Sequence, residues 1–105
     1  MAPPETMSPA PGELSRSMRI RNRLGLHARA AVKFVQMAGR FKAEIKVRKD
    51  DIEVNGKSIM GLLTLVAALG MEIVVAAEGA DAAQALDELT ALVDRGFDEG
   101  VEAGS

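Results

Sequence analysis

From Met18 onward the spacing of apolar and polar residues changes period several times, and each change marks a new element. Met18 and Ile20 alternate with Arg19 and Arg21, which predicts a half-buried strand. From Ala28 to Ala38 the residues Ala31, Val32, Phe34, Val35 and Ala38 recur at helical spacing, and Gly39 follows as a stop. Ala43, Ile45 and Val47 alternate with Lys42, Glu44, Lys46 and Arg48. Asp50-Asp51 then turns the chain into a short returning strand through Ile52 and Val54, giving a hairpin. Asn55-Gly56 breaks the chain, and a short helix is predicted from Ser58 to about Leu69. Met71 to Ala77 reads as a buried strand. The last helix follows Gly79, with Asp81 and Gln84 at capping-box spacing and a stripe of Ala82, Ala85, Leu86, Leu89, Leu92 and Val93.

The order is therefore β-α-β-β-α-β-α, an α+β chain. Every strand but the last keeps one polar face, so the sheet should be antiparallel with one side wet and all three helices on the other. Period alone does not order the strands, and a ferredoxin-like arrangement fits the first six elements as well.

The ends read differently. All four prolines fall at positions 3, 4, 9 and 11 among Ala, Ser, Glu and Gly, so residues 1–16 are expected to be a disordered extension. Residues 17–98 form one domain, and the polar, Gly-rich 99–105 a flexible tail. A chain of 105 residues, 48% of them hydrophobic, supports one core, and with 3% aromatics that core must be built from aliphatic side chains. A formal charge of −2 argues against a general nucleic-acid or anionic-membrane binder. With no cysteine and one histidine, a disulfide scaffold, a thiolate site and a histidine-cluster metal site are excluded, and no cofactor is expected. The apolar run Ile59–Ala77 is broken by Gly61, Gly70 and Glu72, which favours a buried helix and strand over a membrane span. No apolar stretch follows Met1, so a secretory signal is not expected and the cytoplasm is the predicted location.

The candidate chemistry lies in Gly25-Leu26-His27-Ala28-Arg29-Ala30. His27 stands immediately before the first helical turn, where backbone N–H groups lack intrahelical partners and the helix dipole is positive. The amides of Ala28 and Arg29 there suit a phosphate, and the same field keeps the imidazole neutral and nucleophilic. Gly25 lets the chain turn sharply, and the Arg29 guanidinium can bond a phosphoryl group. On spacing alone, a plain cap or surface histidine is also compatible.

Three segments together resemble the HPr family, the histidine-containing phosphocarriers of the bacterial sugar phosphotransferase system: Gly25-Leu26-His27-Ala28-Arg29, then Val54-Asn55-Gly56-Lys57-Ser58-Ile59-Met60-Gly61-Leu62, then Gly79-Ala80-Asp81-Ala82. The likeness runs from about Met18 to Phe97. It implies an open-faced β-sandwich, a four-stranded antiparallel sheet of order 1-4-2-3 under three helices. It also implies that His27 is phosphorylated on Nδ1 by Enzyme I at the expense of phosphoenolpyruvate and passes the group to Enzyme II A domains, as a monomeric carrier and not an enzyme. Where the family usually has proline, this chain has Ala30. The anion site is expected to survive, and a specialised nitrogen-related or regulatory phosphorelay is the alternative.

Ser58 should cap the second helix, and by the resemblance it is the serine that HPr kinase modifies. Ile59, Met60 and Leu63 are expected to form an apolar docking patch, rimmed by Lys33 and Gln36, while Leu62 and Leu65 point inward.

Overall fold

Alternating β-branched and charged residues make strands here, and the 3.6-residue stripes make helices that bury them. The computed structural model describes residues 12–102. In chain order it contains β1 (Glu13–Arg19), α1 (Ala28–Ala38), β2 (Glu44–Lys49), β3 (Ile52–Asn55), α2 (Ile59–Thr64), β4 (Glu72–Glu78) and α3 (Ala82–Asp94), followed by a tight turn at Gly96–Asp98. The sheet has the order β1-β4-β2-β3 and every pair is antiparallel. That is the open-faced sandwich, and it displaces the ferredoxin-like arrangement that periodicity left open.

One face of the sheet carries Ile45, Val47, Ile73 and Val75, all buried, against Phe34 of α1, Leu62 of α2 and Leu86, Leu89 and Val93 of α3. Burying each of these aliphatic side chains is worth roughly 1.5–3 kcal/mol. Leu62 and Leu65 point inward as expected. No helix among the described residues is long and apolar enough to cross a membrane, and the run Ile59–Ala77 is divided between α2 and β4.

Four features depart from the sequence reading. First, β1 begins at Glu13, inside the stretch assigned to the disordered extension, because β4 extends to Glu78 and pairs with it there. Backbone pairing asks only for free N–H and C=O groups, so polar side chains do not prevent it. Residues 1–11 of that extension lie outside the described residues.

Second, α2 stops at Thr64 instead of about Leu69. Val66 takes φ 50°, which breaks the helix and turns the Ala67 carbonyl toward the Leu26 N–H, at 2.8 Å. Third, Gly39 stops α1 as expected but does so at φ −67°, in the right-handed region, so only the use of glycine's left-handed freedom is missing there.

Fourth, Asp81 precedes α3 but makes no capping bond. Its carboxylate instead accepts the Lys42 and Ala43 N–H groups, each at 2.9 Å, fastening the start of α3 to the chain entering β2. Those amide donors, Lys42's foremost, outweigh the desolvation cost and hold the Asp81 carboxyl below its ordinary range. A depressed carboxyl stabilises the fold above its unfolded pKa, about 3.9, and that contribution is lost as pH falls through the folded value. Thermal melts of the wild type and Asp81→Asn should therefore differ at neutral pH and converge as the pH is taken below the ordinary carboxylate range. A constant gap across that range would refute the assignment.

Candidate functional site

The loop from Ile20 to His27 is held from two sides. Towards α2, Ile20 exchanges backbone bonds with Met71 and Gly70, and Leu26 donates to Ala67. Gly25 lies there at φ 70°, and a Cβ at this position would come within 2.5 Å of the Ala67 carbonyl oxygen. Glycine is thus required by backbone conformation and by close approach at once.

His27 is the N-cap of α1, in extended conformation at φ −81° and ψ −177°, and its side chain makes no capping bond. The first intrahelical donor is Ala31, bonded to the His27 carbonyl at 2.8 Å, so the N–H groups of Ala28, Arg29 and Ala30 have no intrahelical acceptor. Ala30 is fully buried, so its methyl group packs in the core. The imidazole is 28% exposed, at the rim of an open cleft that Ala28, Arg29, Lys33 and Arg23 also line. Arg29 is itself exposed, so its guanidinium can reach a ligand held at the helix tip.

The opposite wall of the cleft comes from beyond α3. Glu99 Oε2 lies 2.6 Å from His27 Nε2, and Glu99 Oε1 accepts from Asn22 Nδ2 at 2.9 Å. Asn22 is fully buried and also donates to the Gly25 carbonyl at 2.8 Å. Burial by itself pushes the Glu99 carboxyl up. Donation by Asn22 and His27 outweighs it and leaves Glu99 below the usual carboxylate range, charged at neutral pH. The segment is anchored by fully buried Phe97, by Lys33 Nζ donating to the Phe97 carbonyl at 2.9 Å, and by the Glu102 N–H donating to Arg21 at 2.9 Å.

This corrects the expectation of a flexible tail from residue 99: residues 99–102 are docked against the loop that carries His27. Residues 103–105 lie outside the described residues. Neither Asn22 nor Glu99 was singled out from the sequence. A signal exists for Asn22, which continues the inward period of Met18 and Ile20, whereas Glu99 lies in the polar, Gly-rich stretch read as a flexible tail and carries none.

Ser58 caps α2 as expected, its Oγ accepting the Gly61 N–H at 3.0 Å. Of the predicted docking residues, Met60 and Ile59 are exposed on the first turn of α2 and Leu63 is half-buried. Leu63 joins Leu24 and Val66 in a shallow apolar hollow beside His27. Leu24 and Val66, 67% and 73% exposed, were absent from the predicted patch. Lys33 is drawn to the Phe97 carbonyl on the cleft side. Among the described residues no cluster of three or more His, Asp or Glu could hold a metal ion.

A family model described as the PTS HPr component phosphorylation site matches residues 14–95. The phosphocarrier protein HPr of Neisseria meningitidis (serogroup A) is 53% identical over 87 residues, 83% of this chain and 98% of that protein. The phosphocarrier protein NPr of Shewanella violacea is 44% identical over 87 residues, 83% of this chain and 96% of the relative. The crystal structure of HPr-C-His from Thermoanaerobacter tengcongensis superposes with a TM-score of 0.80 at 40% identity, over 84% of this chain and 99% of that one.

Proposed function

The chain belongs to the HPr family of phosphocarrier proteins, and on that footing we propose that it accepts a phosphoryl group from phosphorylated Enzyme I at Nδ1 of His27 and passes it to Enzyme II A domains in cytoplasmic sugar uptake. The observation that supports this most directly is the partly exposed imidazole at the tip of α1, beside N–H groups without intrahelical acceptors.

In this reading Nδ1 attacks the phosphorus, while the Ala28 and Arg29 amides and the Arg29 guanidinium bond the oxygens that carry the charge. The helix N-terminus favours that anion electrostatically. The protein turns over no small substrate: it is modified, docks and is discharged. Leu63, Ile59 and Met60, with Leu24 and Val66, supply an apolar surface for successive partners. HPr kinase, where the host has one, would add phosphate to Ser58, bringing nearly two negative charges beside exposed Ile59 and Met60 and so altering that docking surface.

Incubation with Enzyme I and labelled phosphoenolpyruvate should give acid-labile, base-stable label on the wild type and none on His27→Ala. Label retained by that mutant would end the proposal. A second reading, a nitrogen-related phosphorelay or a module switched mainly at Ser58, draws on Ala30 and on the likeness to an NPr protein. It is favoured if the labelled protein discharges to a nitrogen-related acceptor and not to sugar-type Enzyme II A domains.

A further inference from the structure

The contact between Glu99 and His27 spans 72 positions of sequence and is built at a conformational cost. Phe97 and Asp98 have φ 54° and 64°, in the left-handed region that residues with a Cβ rarely adopt. Strain of this kind persists only where the surroundings over-determine it. Here buried Phe97 and the bonds from Lys33 and Glu102 hold the segment so that Glu99 meets the imidazole, while the fully buried Asn22 orients its other oxygen.

Resting on the carrier reading, we propose that Glu99 is the positioning residue and resident counter-charge of His27: it keeps the proton on Nε2 throughout the transfer cycle, so that Nδ1 is the nucleophile on loading and a neutral imidazole leaves on unloading. In the resting protein His27 donates Nε2–H to Glu99 at 2.6 Å, and the Nδ1 lone pair is free to attack. During loading the Nδ1–P bond forms as the donor's N–P bond breaks, the electron pair returning to the donor ring. His27 then carries phosphoryl on Nδ1 and hydrogen on Nε2, an imidazolium whose charge the Glu99 carboxylate balances. During unloading the Nδ1–P bond breaks and its electrons return to Nδ1. Because Nε2 has kept its proton, the leaving group is imidazole and not imidazolate.

The other charged groups of the cleft do not substitute. Arg23, Arg29 and Lys33 are cations, and Asp98 is engaged by Arg95 at 2.6 Å. Glu102 lines the cleft, but the contact to the ring is made by Glu99. On the α2 side His27 borders a hollow whose other walls include apolar Leu63 and Val66 and no charged group.

Two measurements separate this proposal from the reading it rests on. In the unmodified protein, proton NMR should show an exchange-protected, downfield Nε2–H resonance of His27 that disappears in Glu99→Ala. In the loaded protein, the rate of discharge to an Enzyme II A domain should be measured across pH for the wild type and Glu99→Gln. Glutamine can still accept the Nε2–H bond but carries no charge. Its discharge rate should fall at a lower pH than that of the wild type, with a loss of about tenfold or more on the alkaline side. A ring proton that survives in Glu99→Ala, or a Glu99→Gln profile that overlays the wild type, overturns the counter-charge role and leaves the carrier function standing. Wild-type protein that takes no label from Enzyme I ends both.

Discussion

Gly25→Ala is expected to lower the stability of the domain by about 3 kcal/mol and to cut phosphorylation at His27 sharply. Two costs combine. Alanine at φ 70° is disfavoured by about 1–2 kcal/mol. Its Cβ would also lie 2.5 Å from the Ala67 oxygen and 3.0 Å from Ala68 Cα, both backbone atoms. That carbonyl cannot swing away freely, since it accepts the Leu26 N–H at 2.8 Å and so fixes the residue next to His27. Gly70→Ala is the control: φ there is 87°, yet nothing lies within 4 Å, so only the conformational cost remains. Urea unfolding of both variants checks the difference. Equal losses would mean that the contact with Ala67 is unimportant.

Phe97→Ala should cost about 4 kcal/mol, the usual penalty for emptying a buried aromatic site. The residue is fully buried although it follows the last regular helix. Composition alone puts it at the margin of a frayed terminus, where the same substitution would cost almost nothing. A drop in the urea midpoint therefore discriminates between a docked and a free C-terminal segment. The variant should also lose the contact of Glu99 with His27, because Phe97 and the bond from Lys33 to its carbonyl anchor that segment. An unchanged midpoint would dismiss the docked arrangement.

Much of the architecture was legible along the chain because its signals are local. Ile45 and Val47 alternate with charges because one face of β2 is wet, and Ala31, Phe34 and Ala38 recur because one face of α1 is buried. Ends of elements were less legible. The apolar run after Ser58 reads equally well with a helix of any length, and α2 stops at Thr64 because Val66 turns to φ 50°, which sets the Ala67 carbonyl on the distant Leu26 N–H. Asp81 has capping spacing, but donors at Lys42 and Ala43 compete for its carboxylate and win.

The amino-acid order by itself determined the kind and succession of elements and the position of His27 at the start of α1, since residues within a few positions of one another decide both. Tertiary structure alone decided that the C-terminal segment returns to that histidine and that Asn22 and Glu99 brace it. No period or local propensity links positions 22, 27 and 99. They meet because closing the sheet under three helices leaves a space for Phe97, and filling it carries Glu99 to the imidazole.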